Sequence, residues 1–167
     1  MTVSNYAVEV SNAEPLEIFG FDALEVGILP VLRQFMMSYE DPEAQSWQNA
    51  YGIAAEKWGE TFGLALAQAL LKVIKYVRVQ RQNGFCFHDP LCIEARRMVT
   101  SDEASLIAML HHMRRDQTSE ARIAVEELTL GLLDPDIIRS GLSFAHRFPA
   151  GKDPKLALGR PELTIVH

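Results

Sequence analysis

The chain has few cysteines, few cations near its start and no long apolar run. Two cysteines, Cys86 and Cys92, among 167 residues exclude a disulfide scaffold. The N-terminus lacks a basic stretch followed by an apolar one, so no signal peptide is expected. The longest apolar stretch, Phe62 to Leu71, contains Gln68 and ends at Lys72. That falls short of the roughly 18 residues of a membrane span, so the expectation is no membrane and a cytoplasmic address. The first 71 residues hold 2 basic and 10 acidic side chains, and the whole chain carries −6. That balance argues against bulk nucleic-acid binding.

Catalytic signatures are missing as well. The ten glycines never take the spacing of a phosphate-cradling loop, and there is no H-E-x-x-H and no G-x-S-x-G. E-x-x-H is also absent, which argues against a carboxylate-bridged di-iron bundle. A phosphatase-type loop needs Arg six positions after its Cys, where this chain has Cys92 after Cys86 and Met98 after Cys92. His88-Asp89 is the dipeptide at the metal centre of HD-type phosphohydrolases. Pro90 follows at once, however, and turns Asp89 into a helix cap rather than a residue on a helix face.

What the chain does contain is helical periodicity and Asp-Pro punctuation. Asp caps free amides and Pro suits the first helical position, so Asp41, Asp89 and Asp134 read as helix starts. A first helix is expected near Asp22, with Leu24, Ile28, Val31, Phe35 and Tyr39 on one face and Pro30 kinking it or shifting its start. From Pro42 to about Gln82 one apolar stripe runs through Trp47, Tyr51, Ala54, Trp58, Phe62, Leu66, Leu70, Val73 and Val77. A straight helix of that length would reach about 60 Å. It must therefore break, near Gly59 or Gly63, or project and find a partner chain. Shorter helices are expected over 90–98, from Thr100 with a capping box to Glu103, over 119–130 and over 135–148. Residues 1–20, with Ala7 to Val10 extended, and the arm 149–167, with Leu163 to Val166 as a strand, read as irregular.

Two clusters carry chemistry. Cys86, His88 and Cys92 lie within seven positions and are donors that zinc accepts, with His111 or His112 as a fourth ligand. The spacing is not that of a recognised finger, and two buried thiols would look the same in sequence. Lys72, Lys75, Arg78 and Arg81 recur every three residues and form a cationic stripe suited to an anion. The same cations also suit the negative end of a helix.

The expected fold is an all-α, irregular bundle of five or six helices in a single domain, built around the region 42–82. The expected function is a non-catalytic interaction or regulatory protein acting as a homodimer. The alternative is a metal-binding protein, structural or catalytic, with zinc at Cys86, His88, Cys92 and His112.

Overall fold

In the computed structural model, residues 13–82 and 84–151 are described. They form an all-α bundle of six helices packed against one another. These are α1 (Ala23–Glu40), α2 (Ser46–Trp58), α3 (Glu60–Gln80), α4 (Ser101–Met113), α5 (Thr118–Leu128) and α6 (Pro135–Arg147). Two short strands, β1 (Glu14–Pro15) and β2 (Met98–Val99), pair antiparallel. The expectations for Ala7 to Val10 and Leu163 to Val166 lie outside the described residues.

The long apolar stripe breaks at Gly59, whose φ of 85° and ψ of 159° suit a residue without a Cβ. The break turns one over-long helix into two that pack on each other. A Cβ at Gly63 would overlap the carbonyl of Ala54, so glycine is what lets α3 approach α2 so closely. The stripe's length was the reason to expect a partner chain over this region, and the fold removes that reason. Ala54, Trp58, Leu66, Leu70, Val73 and Val77 are all buried within the one chain. Trp47, Leu64 and Val79 remain exposed there.

Side-chain caps set three of the six helix starts. Asp22 caps α1, accepting from Glu25 N at 2.9 Å, and the Glu25 carboxylate accepts from Asp22 N at 3.4 Å. Thr100 and Glu103 do the same for α4, at 3.1 and 3.0 Å. Asp134 caps α6 by accepting from Asp136 N and Ile137 N. Pro30 neither moves the start of α1 nor ends it, since the helix runs through it to Glu40. Its ring lies on the exposed side, and the carbonyl it leaves without a donor belongs to Val26, itself partly exposed. Water can satisfy that group.

Two expected starts are corrected. Asp41 makes no side-chain cap bond and closes α1 instead, donating its N–H to Met37 O at 2.8 Å. Because α1 runs into it, its backbone (φ −131°, ψ 84°) never reaches the extended geometry of a cap. A short 3₁₀ turn over Pro42–Ala44 and a left-handed Gln45 follow before α2 begins. The helix expected over 90–98 is likewise absent, and Asp89 caps only a turn, accepting from Leu91 N at 2.8 Å. The reason is that Met98 and Val99 extend to pair with Pro15 and Glu14, while the residues before them make only three-residue turns, Cys92 N donating to Asp89 O and Arg96 N to Ile93 O. The carbonyls of Ala95 and Met98 accept from the Arg33 guanidinium, at 2.9 and 2.5 Å, and that of Arg97 from Leu16 N.

Candidate functional site

Helices α1 and α4 are joined by two reciprocal charge clusters, each built on a capping-box glutamate. Both glutamates have no exposed surface. Glu103, at the start of α4, receives Arg33 from α1 in a bidentate pair at 2.8 and 3.0 Å. It also accepts from the amides of Thr100 and His88. Glu25, at the start of α1, receives Arg114 and Arg115 from the end of α4, each at 2.9 Å. His111 Nδ1 sits 2.5 Å from the same carboxylate. The helices are therefore antiparallel, and each offers its third-position glutamate to arginines of the other. Desolvation of such carboxylates is offset because every oxygen meets charged or amide donors. Asp22 joins the second cluster through Arg114 and Arg115, at 2.8 and 2.9 Å. Burial pushes its pKa up, but bonds from Glu25 and the Arg114 charge prevail and hold it below the usual range. Arg114 also donates to Phe148 O at 2.6 Å, tying the end of α6 to this seam.

The four residues suggested as metal ligands are dispersed. Cys86 lies on the segment before α4, where its N–H donates to Asp102 at 2.8 Å and its carbonyl accepts from Thr100 Oγ1 at 2.7 Å. His88 is buried, and its amide is engaged by Glu103. Cys92 is partly exposed, and its thiol approaches Glu94 at 3.4 Å. His112 is at the far end of α4, its Nδ1 2.7 Å from Gln117 Oε1, and neighbouring His111 serves the Glu25 cluster. Among the described residues no group of three or more His, Cys, Asp or Glu side chains gathers as a metal would require.

The cationic stripe is also divided. Arg78 pairs with Glu40 at 3.1 Å and lies over the Tyr39 ring. Arg81 forms a bidentate pair with Asp102 at 2.8 and 2.9 Å, and donates to the carbonyls of Leu128 and Gly84. Lys72 and Lys75 are exposed. Two of the four cations thus hold helices and the 84–100 segment together. Their spacing was legible in sequence, but their partners, on α1 and α4, were not.

The surface feature that the fold does not use is apolar. Between α5 and α6 lies a groove of about 200 Å³, lined by Ala121, Val125, Leu133, Ile138 and Leu142 and, toward the end of α4, by Met113, Asp116, Gln117 and Arg122. Leu130, Leu132, Leu133 and Leu142 stand exposed along its edge and the adjoining loop, and Ile123 on the outer side of α5. Leu130 has φ 58°, a left-handed conformation that costs a leucine about 1–2 kcal/mol. It borders a second, mostly polar depression formed with Val79, Gln80, Arg81 and Gln82 at the end of α3. Leu142 recurs with Ile138 and Ala145 at helical spacing, and within one amphipathic pattern an outward leucine looks like a core residue.

No family model, curated protein or solved structure matches the chain. No helix among the described residues is long and apolar enough to cross a membrane.

Proposed function

We propose that the protein is a non-catalytic interaction module of the cytoplasm, and that it self-associates through the α5–α6 surface, the homodimer being its smallest assembled form. One observation carries the reading: two exposed leucines, Leu133 and Leu142, line one groove, and Leu130 and Leu132 stand exposed on the loop that joins α5 to α6. Scattered apolar side chains are normal on a protein surface, whereas a contiguous patch at a groove marks an interaction site. The strained backbone of Leu130 supports it, because strain of this kind collects at functional positions. Cys86 and Cys92 are not bridged to each other, which suits a reducing compartment.

Light scattering over a dilution series tests the proposal. The parent protein is expected to show at least twice the chain mass of 18.7 kDa at micromolar concentration, and Leu142→Glu to show the chain mass alone. A parent that stays monomeric at high micromolar concentration refutes self-association.

A further inference from the structure

The described chain leaves the bundle at a pinned point. Arg114, which closes α4, donates to Phe148 O at 2.6 Å and to Pro149 O at 3.4 Å. Its own carbonyl accepts from Ala150 N at 3.5 Å. Gly151 follows with φ 81°, a turn conformation that suits a residue without a Cβ. Met113, Asp116, Gln117 and Thr118, the near neighbours of Arg114 in the chain, line one end of the α5–α6 groove. The exit therefore stands at the mouth of the groove. The other end of the described chain is placed differently. Glu14 pairs with Val99, just before α4 begins, and the 13 residues of α4 put that point about 20 Å from the groove's end.

Sixteen residues follow Gly151, and the first nine of them complement the surface beside which they start. Leu156 and Leu158 fall on one side of an extended chain, two apolar groups for an apolar groove. Five extended residues, from Gly151 to Leu156, reach about 17 Å. Leu142 sits five residues before the end of α6, or about 8 Å along it, well within that reach. At the groove itself Asp116 and Arg122 cancel. Over the wider surface they do not set the balance: the stretch 116–147 holds six acidic and three basic side chains, net −3. The segment 152–160 holds three basic and one acidic, net +2, on a chain that is acidic as a whole.

We propose that the segment 152–160 seats in the α5–α6 groove of its own chain, with Leu156 and Leu158 against Val125, Leu133 and Leu142, and that it thereby restrains self-association. The restraint rests on the self-association reading; the docking does not. A tether of a few residues gives the segment an effective concentration of about 1 mM at the groove, far above that of a second chain at micromolar concentration. Leu130 and Leu132 do not line the groove, so a seated segment leaves them bare for a second copy. Full contact between copies then requires the segment to leave. The apparent affinity falls by the fraction of grooves that stand open.

The test compares the full chain, methyl-labelled for nuclear magnetic resonance, with the full-length double variant Leu156→Asp, Leu158→Asp. In the parent, the methyls of Leu156 and Leu158 are expected to cross-relax with those of Val125, Leu133 or Leu142 of the same chain. In the variant the three groove resonances should shift. Those of Leu70 and Leu106, both fully buried, should stay in place and report an intact bundle. In light scattering the variant should self-associate about tenfold more tightly than the parent, the gain expected if about nine grooves in ten are covered. If the groove resonances do not move, the segment lies elsewhere, and this inference fails while self-association is untouched. If cross-relaxation in a mixed sample joins only labelled to unlabelled chains, the segment seats in the partner and docking in its own chain is wrong. If own-chain contacts are found but neither protein self-associates, the docking holds and the self-association reading falls, taking the restraint with it.

Discussion

The α1–α4 seam and the α5–α6 surface treat polarity in opposite ways. In the seam, charged groups are drawn inside, and two fully buried glutamates each meet arginine from the opposing helix. On the α5–α6 side, leucines that would suit a core stand in water. A seam of ion pairs gains little stability over a packed apolar one. It does fix which helix faces which, and in what register, because a displaced glutamate would be left buried without a donor. The apolar surface has no such device and accepts any complementary apolar group. The contrast separates a part of the molecule that is finished within one chain from a part that is not.

The seam should be the more fragile to single changes. Arg33→Ala leaves the Glu103 carboxylate buried without its guanidinium and is expected to cost about 3–5 kcal/mol. Urea unfolding would measure it, and a loss under about 1 kcal/mol would mean that water or the amides of His88 and Thr100 suffice. Helix caps come next. Asp134→Ala should cost about 0.5–2 kcal/mol, and Asp41→Ala, which removes no cap bond, less than about 0.5 kcal/mol. Equal losses in thermal unfolding would show that the side chain of Asp41 contributes in some other way. The smallest effect belongs to the apolar surface. Leu142→Glu should leave monomer stability within about 0.5 kcal/mol while changing assembly. A large fall in unfolding free energy at dilution would place Leu142 in the core and dissolve the contrast.

How far these regions could be read from sequence follows from the distances over which their signals act. Asp22, Thr100 and Asp134 were legible because a cap bonds amides two or three residues on. Gly59 was legible because an uninterrupted helix of that length would outgrow the domain. Asp41 carried the same Asp-Pro signal and misled, since the competing influence was the end of α1 just before it. The segment 90–98 misled for a reason far along the chain: its end extends to pair Met98 with Pro15, 83 residues earlier. Cys86, His88 and Cys92 were close in sequence, yet the Cys92 thiol approaches Glu94, and His111 on the next helix belongs to a carboxylate 86 residues earlier. An ion pair leaves no periodicity, so Glu25 with Arg114 could not be picked from the other acidic and basic side chains. The exposed leucines were counted in the sequence without a sign of which way they faced.

The bend at Gly59 has a consequence in time. It brings Ala54 and Gly63 together across nine residues of chain, a loop that closes in well under a microsecond. The seam must close spans of 70 residues from Arg33 to Glu103 and 89 from Glu25 to Arg114. Contacts that close long spans carry a larger entropic barrier. The α2–α3 corner can therefore nucleate folding, with the seam locking afterwards over a bundle already half assembled. Interactions that form after the transition state govern how fast a protein comes apart rather than how fast it forms. In this chain the buried glutamates would then act chiefly as a latch on unfolding, setting the lifetime of the native state.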